Sequence, residues 1–272
     1  MKHAPILVLG ATMAGTALAL SRPADTLVVE RSMLFGTDYL GSLNIKRCRP
    51  DLVRQPLALD FRDELFRRNL LNDAGEVHAQ RIAGVLANRL RNSGAGVLLL
   101  TEVVAISPRD EGYEVVLYNA DGYTTVHAGQ IIDTTSDGYF LDPSQRPPIQ
   151  KSLCAALAVP AGAVLTSCCP TGGQILQGRF ADEFVLKVAL DAADGWVAAR
   201  ARLNACWQEC RSRLPDGCAI AAIATEWAVD FQIEPADHVD LAVHARWRWH
   251  PSASYQDLLS AFAGGARCLN TD

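Results

Sequence analysis

The chain has 272 residues, of which 49% are hydrophobic and 20% charged, and its net charge is −5. This composition is typical of a globular protein and argues against disorder, while the length predicts one large domain or a domain with a smaller partner. The acidic balance argues against nucleic-acid binding through a broad basic surface. Eight cysteines without metal-finger spacing are interpreted as reduced thiols of a cytoplasmic protein, and no metal site is predicted.

The first thirty residues predict a strand, a turn, a short helix and a second strand. The predicted elements are a strand over residues 6–9, a turn over 10–15, a helix over 16–20 and a strand over 26–29 that ends at Glu30. An apolar start that follows a lysine also resembles a signal peptide, and this alternative stays open. No other stretch is long and uncharged enough to cross a bilayer, so no membrane span is predicted.

The turn occupies the place of a dinucleotide-binding G-x-G-x-x-G sequence. Gly10 permits a sharp bend, the helix that follows points its N–H groups at a pyrophosphate, and Gly15 lets that helix approach the sheet. Glu30 lies 20 residues after Gly10, where a carboxylate accepts hydrogen bonds from an adenosine ribose. This carboxylate favours FAD or NAD over NADP. Thr12 replaces the middle glycine and narrows the approach to phosphate, so a turn of this type without a ligand remains an alternative.

The middle of the chain predicts one helix and an antiparallel β insert. Residues 77–92 carry a helical apolar stripe, and short strands are predicted over 97–100 and 101–106. Residues 113–119 and 123–127 form a hairpin through Asp121-Gly122. A last apolar strand, at residues 131–132, leads into residues 133–138.

Four segments in this order resemble the FAD-dependent oxidoreductases with a glutathione-reductase-like flavin domain, in particular the bacterial group with an I-D-A-T-G-D-G motif. The segments are residues 10–15, 28–32 with Gly36, 94–106 and 131–138, and the resemblance covers roughly residues 4–140. It implies a three-layer Rossmann-like α/β domain over residues 1–145, with a parallel sheet and an antiparallel β insert. A smaller α+β region over residues 150–272 would face a substrate or a partner, after a linker at residues 142–148.

The resemblance also implies FAD as the cofactor and assigns roles to matching residues. A pyrophosphate cradle would consist of Gly10, Ala11, Thr12, Ala14 and Gly15. Glu30 would hold the adenosine ribose with Arg31 beside it, and the backbone of Val103 would meet the adenine. The loop over the dinucleotide would contain Thr134, Thr135 and Gly138.

One element of the family is missing from the sequence. Its members return to the flavin domain through a strand that ends in Gly-Asp, and residues 151–272 contain no Gly-Asp. The nearest candidates, residues 171–174 and 263–265, follow no predicted strand. Three explanations remain open: unrecognised residues hold the flavin ring, a partner chain completes the site, or the chain has lost redox chemistry.

The second half predicts helices over residues 180–190 and 196–214, strands over 226–233 and 241–250, and a last helix over 255–263. Cys206 and Cys210 are interpreted as core thiols on one helix face. The two strands are expected to pair as a hairpin, with Glu226 opposite Arg248 and Asp230 opposite His244.

This predicted hairpin has two interpretations. In one it is a solvated, charge-matched sheet face. In the other, Arg246 and Arg248 bind a substrate carboxylate and His244 or His250 acts as an acid or base. The predicted function is FAD-dependent hydride transfer from a small organic substrate. One alternative is a nucleotide-binding subunit that is redox-silent or completed by a partner. Another is a plain NAD-binding protein, but the β insert and the I-D-x-T sequence argue against that one.

Overall fold

The computed structural model describes residues 2–136, 138, 141–163, 165, 172–233 and 238–269. Four residues used in the sequence predictions, Asp137, Cys168, Cys169 and Thr171, lie outside this set. Among the described residues, no helix combines the length and the apolar character needed to cross a membrane.

The first part of the chain alternates strands and helices and then runs through an antiparallel β meander. Its elements are β1 (Lys2–Leu9), α1 (Met13–Ser21), β2 (Thr26–Val29), α2 (Pro56–Arg67), α3 (Ala79–Ser93), β3 (Gly96–Leu98), β4 (Glu102–Arg109), β5 (Gly112–Asn119) and β6 (Gly122–Asp133). The predicted helix over 77–92 is confirmed as α3, and the predicted hairpin at Asp121-Gly122 is confirmed as the β5–β6 pair.

The second part consists largely of strands. Its elements are β7 (Ile149–Ala158), β8 (Gly173–Gln177), β9 (Phe184–Leu190), α4 (Trp196–Arg211), β10 (Ala219–Ile223), β11 (Ala228–Phe231), β12 (Leu241–His244), β13 (Trp247–Trp249) and α5 (Leu258–Arg267). The helix predicted over 196–214 is confirmed as α4. On its buried face, the sulfur atoms of Cys206 and Cys210 lie 4.0 Å apart.

The larger sheet has eight strands, with β1 at its centre. β1 pairs in parallel with β2 on one side and with β6 on the other, and β3 and β13 extend the parallel part outward. Strands that are covered on both faces need apolar residues at successive positions, which explains the run from Ile6 to Leu9. β4 and β5 add the antiparallel insert to β6. The predicted α/β class, with a parallel sheet and an antiparallel insert, is confirmed.

The smaller sheet is antiparallel and corrects two predictions. Residues 184–190 form β9, a central strand between β7 and β8, and not a helix. The apolar run is short enough to suit either structure, and pairing on both sides makes it a strand. The predicted hairpin of residues 226–233 with 241–250 is also wrong, because β11 pairs with β7 while β12 and β13 belong to the larger sheet.

The chain does return to the larger sheet, although no Gly-Asp sequence marks the place. β13 lies parallel to β6, with Trp249 level with Asp133, and α5 follows it. α5 packs closely on α1, because a β-carbon on Gly265 would lie 2.0 Å from the carbonyl oxygen of Ala14. The inference that this part of the fold is missing is therefore wrong, and Ala263 and Gly264 are found inside α5.

Candidate functional site

A cleft opens at the carboxyl ends of β1, β2 and β6, the edge at which α/β sheets of this kind bind ligands. Its walls include Gly10, Glu30, Asp38, Thr135 and Glu226. Three of these were singled out from the sequence, and Asp38 was not. Glu226 was expected to face Arg248 instead.

The glycine turn is held by close packing. Gly10 adopts φ +93°, which side-chain-bearing residues rarely adopt. A β-carbon on Gly15 would lie 2.2 Å from the carbonyl oxygen of Gly10, so the turn requires glycine at that position too. Thr12 caps α1 through a 3.0 Å hydrogen bond from the Gly15 N–H to its hydroxyl. The residue that weakens the G-x-G-x-x-G pattern therefore stabilises the start of the helix.

Glu30 is buried at the end of β2 and faces this turn. Its Oε2 accepts a 2.8 Å hydrogen bond from the Ala11 N–H, and its Oε1 accepts one of 2.8 Å from the Ser32 N–H. Arg31 forms an ion pair of 2.6 Å with Glu226, which comes from the segment between β10 and β11. Glu30 is thus fixed by one hydrogen bond to the glycine turn and one to the segment after β2. The ion pair of Arg31 connects the end of β2 to the smaller sheet.

The N-terminal N–H groups of α1 are occupied by side chains of the protein itself. The Met13 N–H donates to Asp38 Oδ1 at 3.0 Å, and the Ala14 N–H donates to Ser252 Oγ at 3.0 Å. Ser252 belongs to the short helical turn Ser252–Ser254 between β13 and α5. A carboxylate therefore lies where the helix dipole favours an anion.

Asp38 is buried in the cleft wall, and this raises the pKa of its carboxyl group. Burial raises the pKa of Asp38 to about 6, although hydrogen bonds with Ser252 and Met13 and the charge of Lys46 act in the opposite direction. At neutral pH the group is mainly ionised, so the protein carries its own negative charge at the start of α1. No spacing rule of the sequence pointed to Asp38 or Ser252, since both reach α1 through tertiary structure.

The loop after β6 holds the turn from the other side. The hydroxyl of Thr134 bonds with the carbonyl oxygens of Leu9 and Gly10, at 3.0 and 3.1 Å, and accepts from the Thr12 hydroxyl at 2.7 Å. Thr135 lies on the cleft wall. Gly138 donates its N–H to the Thr135 hydroxyl at 3.2 Å and packs against Trp249.

Three further predicted positions, Val103, Ala11 and Ala14, are not among the residues of the cleft wall. Val103 is a buried residue of β4, where it pairs with Leu117 and packs in the core. Its contact with adenine remains a prediction. Ala11 and Ala14 are buried, and their N–H groups bind Glu30 and Ser252 as described.

The four candidate substrate residues do not share one strand face, because the chain turns between β12 and β13. Arg246 sits in that turn with φ +61°, and the exposed His244 contacts the hydroxyl of Tyr113 through Nδ1 at 2.9 Å. Arg248 donates two hydrogen bonds to the Asp240 carboxylate, from Nε and Nη2. His250 is buried. The predicted common surface over an anionic substrate is therefore not formed.

A polar cluster connects the cleft to the smaller sheet. Asp230 of β11 forms ion pairs of 2.8 Å with Lys46 and 2.6 Å with Lys187, and Asn44 hydrogen-bonds to both Asp230 and Lys187. Burial would raise the pKa of Asp230, but the charges and hydrogen bonds of the two lysines lower it to about 2. This cluster joins the loop after β2 to β9 and β11.

Neither a family model nor a curated protein sequence matches the chain, whereas many solved structures share its fold. One is the p-nitrophenol 4-monooxygenase PnpA from Pseudomonas putida DLL-E4, with a TM-score of 0.64 and 13% identity over 98% of this chain and 77% of that one. Another is a geranylgeranyl bacteriochlorophyll reductase-like protein from Thermoplasma acidophilum, with a TM-score of 0.66 and 12% identity over 98% and 77%.

A third similar structure is a complex of aklavinone-11 hydroxylase with FAD and aklavinone. Its TM-score is 0.62 at 13% identity, over 99% of this chain and 63% of that one. This chain therefore spans less than two thirds of the hydroxylase. At these identities the likeness is one of fold, the α/β fold that the chain shares with these three proteins.

Proposed function

We propose that the chain binds FAD along the cleft and is an FAD-dependent oxidoreductase. The observation that carries this proposal is the buried Glu30 carboxylate, fixed at the end of β2 and facing the Gly10 turn. Similar folds include a hydroxylase with FAD bound. We further propose that the chain belongs to the glutathione-reductase-like group, is located in the cytoplasm, and transfers a hydride from a small organic substrate to the flavin.

The adenosine end of the cleft fits such a ligand. Each carboxylate oxygen of Glu30 accepts one backbone hydrogen bond and keeps a lone pair for a ribose hydroxyl. Arg31 lies beside it at the cleft wall. When bound, FAD supplies the capacity to accept a hydride. The protein binds the dinucleotide through Glu30, the turn from Gly10 to Gly15, and the Thr134-Thr135 loop.

The phosphate end fits less well. The N–H groups of Met13 and Ala14 are used by Asp38 and Ser252, and an ionised Asp38 repels a pyrophosphate. Binding therefore requires Asp38 to be protonated or to release the Met13 N–H. We expect the affinity for FAD to rise as the pH falls toward 6.

The same observation favours a second candidate, a nucleotide-binding subunit that is redox-silent or is completed by a partner chain. A helix N-terminus that already holds a carboxylate has no need of a phosphate for its stability. In that case the chain alone binds FAD weakly at every pH, and the Asp38→Asn variant does not bind it better.

A titration of the purified chain with FAD tests the proposal. Removing the Glu30 carboxylate eliminates hydrogen bonds to a charged group, worth about 1.5–3 kcal/mol, so we expect Glu30→Ala to weaken FAD binding by about 10- to 100-fold. Glu111→Ala, which removes an exposed carboxylate between β4 and β5, should leave binding unchanged.

Circular dichroism and thermal unfolding of both variants show whether each is folded. Equal affinity of a folded Glu30→Ala and the parent chain would contradict the ribose assignment. Because Glu30 also holds two backbone N–H groups, Glu30→Gln provides a second variant that keeps the side-chain shape.

A further inference from the structure

We propose that His238, Asp240 and His250 form a binding site for a divalent transition metal ion such as Zn²⁺. One potential ligand atom from each of the three residues lies within 4.8 Å of the others. The group joins the segment before β12 to the loop after β13. It is separate from the residues assigned to the dinucleotide, so the proposal is independent of FAD binding.

The spacing of two ligand atoms suits a shared metal ion better than a hydrogen bond. Nδ1 of His250 lies 3.7 Å from Oδ2 of Asp240, which is too long for a hydrogen bond. Two ligands at about 2.0–2.2 Å from a tetrahedral zinc ion lie about 3.3–3.6 Å apart. A movement of a few tenths of an ångström would place both atoms at ligand distance.

His250 is oriented for this role by its other ring nitrogen. Nε2 lies 2.9 Å from the hydroxyl of Tyr255, while Nδ1 is buried with no hydrogen-bond partner in the described part of the chain. If Nε2–H donates to Tyr255, Nδ1 is the ring nitrogen that would bind the ion, after giving up any proton it carries. Metal-binding histidines are commonly fixed in this way by a partner on the second nitrogen.

His238 supplies the third ligand from the surface. Its ring stacks on Tyr255 at 5.1 Å and contacts the ring of His250 edge-on at 5.4 Å. Two imidazoles and one carboxylate favour zinc and other first-row transition ions over Mg²⁺ or Ca²⁺, which prefer oxygen ligands. Three protein ligands leave a fourth position for water.

Arg248 opposes the binding of a cation here. Its guanidinium donates to both oxygens of Asp240, at 2.9 and 2.5 Å. Each carboxylate oxygen has a second lone pair for a metal, but the nearby positive charge lowers the affinity. We therefore expect Arg248→Ala to bind zinc more tightly than the parent chain, an effect that a purely structural contact between Arg248 and Asp240 does not predict.

A bound ion would fix the loop that carries Ser252. His250 lies two residues before Ser252, which accepts the Ala14 N–H at the start of α1. An ion that joins residues 238–240 to residue 250 would hold that loop, and anything that binds only the folded state raises its stability. We expect zinc to raise the melting temperature and a chelator to reverse this.

The experiment is calorimetric titration of the chelator-treated full chain with Zn²⁺, without FAD. We expect one ion per chain in the parent, binding at least tenfold weaker in His238→Ala, and about 10- to 100-fold weaker in Tyr255→Phe, which removes the hydroxyl that orients His250. His3→Ala removes an exposed histidine from β1 and should bind like the parent.

His238 is exposed, so its replacement is compatible with folding, and the other two ligands, Asp240 and His250, need not be removed. Absence of zinc binding by the parent would overturn the proposal, as would equal binding by His238→Ala. If cysteines elsewhere in the chain held the zinc, His238→Ala would bind it as tightly as the parent does. An equal loss in His3→Ala would indicate only general surface binding and would overturn it as well.

Discussion

Asp38 is a buried carboxylate at the N-terminus of a helix, where the helix dipole and the Met13 N–H favour a negative charge. Burial nevertheless dominates, because it raises the pKa of this group to about 6. The residue therefore stabilises α1 while it opposes the binding of a phosphate at the same place. A single side chain thus decides between the two candidate functions.

Asp38→Asn tests the effect of this charge on stability. Because the pKa rises from 3.8 to about 6 on folding, the folded protein holds the proton more tightly than the unfolded chain. The free energy of unfolding therefore falls as the pH rises from about 4 to about 6, by at most about 3 kcal/mol. In urea titrations, Asp38→Asn should lack this part of the pH dependence. An unchanged profile would contradict the burial of an ionised Asp38.

The same variant tests the competition with phosphate. Asparagine keeps an acceptor for the Met13 N–H without a negative charge, so we expect Asp38→Asn to bind FAD more tightly than the parent at neutral pH. Asp110→Asn, at an exposed turn, is the matched control. Tighter binding in the parent than in Asp38→Asn would mean that the carboxylate supports the ligand.

At the scale of elements, the contact between α1 and α5 connects the start of the chain to its end. A β-carbon on Gly265 would meet the backbone of Ala14 at 2.0–2.6 Å, and backbone cannot move aside as a flexible side chain does. We expect Gly265→Ala to lower the free energy of unfolding by about 2–3 kcal/mol.

Gly84 of α3 is the matched control for this prediction, because nothing lies within 4 Å of the position of its β-carbon. Gly84→Ala should raise stability by up to about 1 kcal/mol through helix propensity. Chemical denaturation of both variants measures the difference. Equal effects would mean that the two helices are not in close contact.

The elements that sequence reasoning found are those specified by local patterns. The Asp121-Gly122 hairpin has a turn sequence, and α3 has an apolar stripe that ends before Gly94 in the left-handed conformation. The residues of β9 were predicted to be helical because a short apolar run suits either structure, and only the pairing with β7 and β8 makes it a strand. The alternation in residues 241–250 was recognised, but not the turn at Arg246 that divides it.

The candidate site divides in the same way. Gly10, Gly15 and Glu30 follow from the spacing of one strand–turn–helix–strand unit. Asp38 and Ser252 reach that unit only through the tertiary fold. Ser252 lies 238 residues after Ala14, whose N–H it accepts. The return through β13 was missed because its Trp-Arg-Trp sequence has no glycine signal.

For the whole molecule, an ion-pair cluster fixes the loop after β2 to the smaller sheet; its members are Asn44, Lys46, Lys187 and Asp230. Removing Asp230 leaves two partly buried lysines without their shared anion. We therefore expect Asp230→Ala to lower the free energy of unfolding by about 2–3 kcal/mol. The loss is smaller than for a fully buried ion pair because the Asp230 side chain is 30% exposed. Asp73→Ala, at an exposed turn, should have little effect.

The pH dependence of this cluster has the opposite sign to that of Asp38. The lysines lower the pKa of Asp230 from 3.8 to about 2, so its stabilising contribution is complete above about pH 4 and is lost as the pH falls toward 2. Asp230→Ala should therefore destabilise the protein at neutral pH and have a smaller effect near pH 2. An equal effect at both would contradict the ion-pair explanation.

FAD binding in the cleft is tested by a visible absorption spectrum. The full chain is incubated with FAD, free ligand is removed, and the spectrum is recorded. The proposal that the cleft holds a redox-active dinucleotide predicts a bound flavin spectrum that bleaches with a chemical reductant and is lost in Glu30→Ala. A colourless protein across the range from pH 6 to neutral, in the parent and in Asp38→Asn, would contradict it.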